Sequence, residues 1–246
     1  MTSNGYRALL SDHGVSASYR TIHGPADDTR VDEWELKASR RALANLRELL
    51  YRQPMFDLLK DQLAEAERLH RSYLAESNGE WAETEVRLHA TGMTTEEFVP
   101  GIMAILANTA GTEEDRRSMA FAMSFPLHPE HYAVPPFAGV AETMGGIPTL
   151  TRVARDENPP EFVLARMDES YSLRAPGKGE LEDGTPHSYV LQQFRDIDSG
   201  ARAGIEASLR IWYPAACPPV YLEEHAEHYA VESRNLLRLV AAQNGR

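Results

Sequence analysis

The densest group of chemically capable residues lies near the C-terminus, in Glu223-Glu224-His225-Ala226-Glu227-His228-Tyr229-Ala230-Val231-Glu232. If that stretch is helical, His228 and Glu232 emerge one turn apart on one face. Both then fall at the edge of an apolar stripe through Leu222, Ala226, Tyr229, Leu236 and Val240, where a side chain can look into a cavity. An imidazole nitrogen and a carboxylate oxygen at that spacing suit zinc or a similar divalent ion. Taken alone, the helix fits a solvated acidic face as well. His225, three residues before His228, lies still nearer the stripe.

Other segments add to this pair. His128-Pro129-Glu130-His131 places two imidazoles within four residues, beside prolines that restrict the backbone. Glu142 is a lone carboxylate in the apolar run Gly139 to Met144, and a buried carboxylate needs a cation or a hydrogen-bond donor. His187 opens another apolar stretch and is a candidate acid/base group, since an unperturbed imidazole titrates near ~6.5. Tyr171, Tyr189, Trp212, Tyr213 and Tyr229 could line a pocket for an aromatic ligand or simply fill the core. Cys217, the single cysteine, excludes an internal disulfide and reads as structural. No phosphate-binding glycine loop, His-Glu-x-x-His or Gly-x-Ser-x-Gly occurs, so hydride and phosphoryl transfer have no support.

The elements that must position these residues fall in two halves. Residues 1–30 read as a loose arm. Helical spacing runs from Asp32 to Tyr73 around Pro54, with further helical pieces at 80–90, 94–108 and from Thr112 to Met123. Thr94/Thr95 with Glu96 and Glu97 make a cap and an acidic first turn. From Phe137 the chain turns to short strands: 137–144, 148–154, 161–173, 187–197 and 203–213. Gly145-Gly146 and Pro/Asn/Asp clusters separate them. Such short spacing favours antiparallel hairpins. A long helix over 220–243 closes the chain. The expected fold is α+β: a helical region over 1–120, then over 121–246 a curved antiparallel sheet gripping the final helix around a cavity.

His128-Pro129-Glu130-His131-Tyr132, Glu142-Thr143-Met144-Gly145-Gly146, Leu209 to Tyr213 and His228-x-x-x-Glu232 together resemble the phloretin hydrolase and diacetylphloroglucinol hydrolase family. The likeness covers residues 120 to 243. It implies a Bet v 1-like (helix-grip) catalytic domain and an N-terminal region used for homodimerisation. It also implies a zinc ion held by two His and two Glu, and hydrolysis of the carbon–carbon bond between an acyl group and a phenolic ring. Carried onto this chain, the metal ligands are His128, Glu142, His228 and Glu232. His131 is the substitute for His128, and Glu157 and Glu161 are alternatives to Glu142. His187 and His131 are the candidate acid/base residues. Iron or manganese would suit the same donors. The other readings are a metal-free binder of aromatic polyketides or lipids, and a cyclase working through His187 and tyrosines.

The chain has 246 residues and a formal net charge of −12, which opposes binding to nucleic acid or to anionic membrane. Without a leader-like or spanning segment, the reading is a cytoplasmic enzyme acting on a small aromatic substrate.

Overall fold

The computed structural model describes residues 19–22, 24–106, 111–198 and 203–245, with no account of the side chains of 102–106. Most of the expected arm, residues 1–18, lies outside them. The chain divides into two compact units, Met1–Glu48 and Leu49–Arg246. In the first, β1 (Tyr19–Thr21) and β2 (Gly24–Ala26) form a small antiparallel ribbon ahead of helix α1 (Asp28–Leu49). Asp27 Oδ1 accepts the Arg30 N–H at 2.9 Å and so relieves one of the unpaired donors at the helix start. Trp34, Leu36 and Leu46 on α1 are exposed.

The second unit holds the rest. Helix α2 (Gln53–Glu76) precedes strand β3 (Trp81–Thr91). Helix α3 (Thr95–Leu106) begins with a reciprocal cap: Glu97 Oε2 accepts the Thr94 N–H and Thr94 Oγ1 accepts the Glu97 N–H. Helix α4 (Glu113–Met119) has the same device in Thr112 and Asp115. It continues through a π-helical segment, Ala120–Ser124, into a last turn at Phe125–Leu127. After these come β4 (Gly139–Met144), β5 (Ile147–Arg155), the short helix α5 (Glu161–Leu164), β6 (Leu173–Glu180), β7 (Pro186–Asp198), β8 (Ala203–Pro214) and the long helix α6 (Val220–Gln243).

Strands β3 to β8 make one antiparallel sheet in the order β3-β8-β7-β6-β5-β4. Helix α6 contacts β3 and β4, the two opposite edges, so the sheet curls around it. The main core lies between them. Leu209, Ile211 and Tyr213 of β8 meet Tyr229, Leu236 and Val240 of α6. The β4–β5 hairpin turns on Gly145 and Gly146, at φ 59° and 79°. Two consecutive left-handed residues give the tight turn whose twist matches paired strands. Gly145 is required twice over, because a Cβ there would stand 2.0 Å from the Tyr221 ring. Among the described residues no helix is long and apolar enough to cross a membrane.

The expected α+β class, the strands around 137–154 and 187–213, and the final helix are all present. Three expectations need correction. Residues 80–90 form edge strand β3, not a helix, so the sheet starts well before residue 121. Its signal is a period of two: Ala82, Thr84, Val86, Leu88 and Ala90 alternate with Glu83, Glu85, Arg87 and His89. The segment 161–173 is not a strand: it opens with α5, whose Val163 is buried against Leu191 and Trp212. The segment from Pro176, expected as turn, belongs to strand β6. Pro176 is tolerated there because the ladder to β5 ends at Gly177, and its carbonyl accepts the Asp156 N–H at 3.1 Å just past the end of β5.

Candidate metal centre

The last turn before Pro129 starts the site. A helix leaves its final carbonyls without intrahelical partners. Here Ser124 O lies 2.7 Å from His131 Nδ1, and Leu127 O accepts from Asn235 Nδ2 of α6 at 2.6 Å. The first contact needs a hydrogen on His131 Nδ1, so the neutral ring would offer Nε2 to a metal. A second partner that fixes ring orientation in this way is characteristic of metal-binding histidines.

His131 Nε2 points into a group of four. It stands 3.2 Å from His228 Nε2, 3.4 Å from Glu142 Oε2 and 3.1 Å from Glu232 Oε1. His228 Nε2 stands 3.1 Å from Glu142 Oε2 and 3.6 Å from Glu232 Oε1. Four donors about 2.0–2.1 Å from one centre in a tetrahedron are separated by about 3.3–3.4 Å. The five separations lie near that value, and His131, Glu142 and His228 form a group that could hold a divalent ion, with Glu232 Oε1 close to both imidazoles. His131, Glu142 and His228 are the tightest three and are all buried. The Glu232 side chain is 27% exposed and forms the open side.

Electrostatics fit the same picture. Burial disfavours charge on His131 and His228, but the carboxylates of Glu142 and Glu232 more than offset it, raising them to about 9 and about 11. Burial likewise opposes charge on Glu142 and Glu232, yet the two imidazoles hold both carboxylates well below their ordinary value. Without an ion the carboxylates favour protons on the imidazoles, and an ion would compete with those protons.

Of the residues expected from sequence, Glu142, His228 and Glu232 converge, joined by His131. The expected ligand His128 does not take that fourth place. Its Nδ1 accepts the Glu130 N–H at 3.1 Å, and its ring stacks on His228 at 3.8 Å between centroids. Burial, then the charges on His228 and His131, lower it to about 3. His128, Glu130 and His228 do form a second, overlapping group, but it lacks the paired buried carboxylates. Glu157 and Glu161, the alternatives to Glu142, are exposed beyond the end of β5.

The quartet opens on a cavity of about 480 Å³ between the sheet and α6. Its walls are mainly aliphatic, with Phe98, Phe194 and Tyr229 as the aromatics and Ser188 and Gln192 among the polar groups. Of the five aromatics that could line a pocket or fill the core, Tyr229 lines the cavity. Tyr171 donates to Glu206 at 2.7 Å, and Trp212 packs with Val163 and Leu191.

His187 is also placed differently from expectation. Gly179 and Ser188 line the cavity, and His187 lies behind them, with Nε2 3.2 Å from where a Gly179 Cβ would be. It is fully buried beside His70 of α2, at 4.4 Å between ring centroids. All four ring nitrogens of the pair, and the nearby Tyr221 hydroxyl, have no partner among the described residues. Burial pushes His187 well below the ordinary imidazole value and His70 to about 4. His187 is thus not presented to the cavity as an acid/base group. His70 was not among the expected site residues, although Leu59, Leu63, Ala66, His70 and Tyr73 follow helical spacing.

Fold and site together define an α+β helix-grip protein with a His₂Glu₂ cluster in the wall of an apolar cavity. No protein-family model matches the chain, and no curated protein does. Among solved structures it is similar to Ara h 8.0201, at 10% identity and a TM-score of 0.35, over 65% of this chain and 99% of that one. So low a score carries no argument about function.

Proposed function

We propose that the protein is a divalent-metal-dependent hydrolase that cleaves the bond between an acyl group and a phenolic ring. The observation that carries the reading is the five donor separations of 3.1–3.6 Å among His131, Glu142, His228 and Glu232 in the wall of an apolar cavity. It agrees with the resemblance of these motifs to phloretin hydrolases, with His131 in the place first assigned to His128.

A bound ion, zinc or alternatively iron or manganese, would supply Lewis-acid activation of a carbonyl and of water. The protein's own groups do the rest. Ser124 orients His131 through Nδ1. Glu142 and Glu232 offset charge in a buried setting. Glu232, the most exposed of the four, leaves that side accessible to water and substrate. The aliphatic walls hold an aromatic ring and exclude bulk water. Ser188 and Gln192 offer hydrogen bonds to ring hydroxyls. Water adds across the acyl–ring bond: the acyl carbon gains hydroxyl and leaves as a carboxylic acid, and the ring carbon gains hydrogen. A cyclase working through His187 has less support, because that imidazole lies behind the cavity wall.

The test is metal content together with release of acetate from acetylphloroglucinol. The purified protein is expected to carry a stoichiometric divalent metal and to turn over. His228→Ala and Glu232→Ala should lose both properties. Full cleavage by chelator-stripped protein would refute the assignment.

A further inference from the structure

We propose that His225 presents its Nε2–H to the cavity as a fixed hydrogen-bond donor for a carbonyl or phenolate oxygen of the ligand, and that Tyr213 fixes it in that role. The proposal rests on the acylphenol reading for the identity of the ligand, and on geometry for the donor itself.

His225 lies on α6, three residues before His228, and lines the cavity. Its Nδ1 is 2.9 Å from the Tyr213 hydroxyl. Tyr213 comes from β8 and is completely buried. Among the described residues its hydroxyl has no other partner. A phenolic O–H both donates and accepts, whereas each nitrogen of a neutral imidazole does one or the other. If Nδ1 kept its hydrogen, the Tyr213 hydrogen would be buried with nothing to accept it. Tyr213 is therefore the donor, Nδ1 accepts, and the ring hydrogen resides on Nε2.

That second nitrogen has no protein partner among the described residues. Unlike the ring nitrogens of His70 and His187, it is not an enclosed polar atom without a partner. With Nδ1 held against the sheet, the free edge of the ring is the one facing the cavity. The His225 and His228 rings are nearly parallel, 10° apart and 5.5 Å between centroids. The donor therefore sits one ring layer from the quartet. An acylphloroglucinol carries a hydroxyl on the ring carbon adjacent to its acyl group, so a carbonyl at the quartet brings a second oxygen within that distance scale. When the acyl–ring bond breaks, negative charge grows on the ring and its oxygens. A donor already aimed there stabilises that charge without reorganisation. Tyr213 acts as a positioning residue, since it touches His225 and not the ligand.

The test combines two readouts. Nitrogen-15 NMR of histidine-labelled protein should show His225 with Nε2 protonated and Nδ1 bare, and a loss of that single tautomer in Tyr213→Phe. Calorimetric titration with acetylphloroglucinol, on zinc-loaded and on stripped protein, should show Tyr213→Phe binding roughly 3- to 10-fold more weakly, the range of one hydrogen bond. His225→Leu should do at least as badly, and His225→Gln, which keeps an N–H donor, should recover part of the loss. Zinc content should stay at the wild-type level in Tyr213→Phe. A protonated Nδ1, or wild-type affinity in Tyr213→Phe and His225→Leu, overturns the proposal and leaves the hydrolase reading intact. If no metal is taken up yet binding still depends on His225, the donor stands and the hydrolase reading falls.

Discussion

Removing the His131 imidazole should cost far more metal affinity than removing that of His128, although the two lie three residues apart and both are buried. Each of the four quartet donors contributes to a binding free energy that for structural zinc sites totals ~10–16 kcal/mol. An equal share is ~2.5–4 kcal/mol, or a loss on the order of 100- to 1,000-fold for His131→Ala. His128 touches the site only through its stack on His228 at 3.8 Å, so His128→Ala removes packing and no donor. Its loss should stay below ~10-fold, the lower end of what outer-shell changes cost. The assay is competition against a chromophoric chelator at fixed pH, with circular dichroism to confirm that both variants fold. Leaving Glu142 and Glu232 against one imidazole should also destabilise metal-free His131→Ala by ~3–5 kcal/mol, as breaking a buried ion pair does. The reasoning fails if His128→Ala releases the ion while His131→Ala keeps it.

Three further outcomes follow from the same geometry. Metal uptake should release two protons near neutral pH, because His131 and His228 are raised to about 9 and about 11 without an ion. The apparent affinity should then rise roughly 100-fold per pH unit below those values, and calorimetry in buffers of different ionisation enthalpy reads the proton count. His70 is held to about 4 by burial, so below ~6.5 the unfolded chain binds a proton that the folded chain refuses. Stability from this group is complete above ~6.5 and falls as pH drops toward 4, by about 3 kcal/mol in all. His70→Phe should flatten that acid limb in urea titrations at pH 5 against pH 7, and an unchanged limb would count against the buried neutral pair. Gly145→Ala combines a left-handed φ with a Cβ 2.0 Å from the Tyr221 ring, so it should cost at least ~2 kcal/mol and lower Tm by at least ~4 °C by calorimetry.

The sequence by itself determined the parts whose information is local. Helical spacing over 220–243 put His228 and Glu232 on one face, the Gly145-Gly146 pair dictated a hairpin, and apolar runs marked β4, β5, β7 and β8. It also singled out Glu142 as a lone carboxylate in an apolar run that, once buried, needs a cation or a hydrogen-bond donor, with Glu157 and Glu161 as alternatives. Strand β3 was legible too, since Val86, Leu88 and Ala90 alternate with charged neighbours, but it was read with the wrong period. It is packing that brings His131, and not His128, against both Glu142 and Glu232. Both lie in one short segment of similar composition, and what separates them is a non-local event: the Ser124 carbonyl at a helix end turns the His131 ring so that Nε2 faces α6. The fate of His187 was decided in the same way, because α2 brings His70 against it from more than a hundred residues away. Ligand geometry depends on which backbone groups remain unpaired after packing, and spacing along the chain does not encode that.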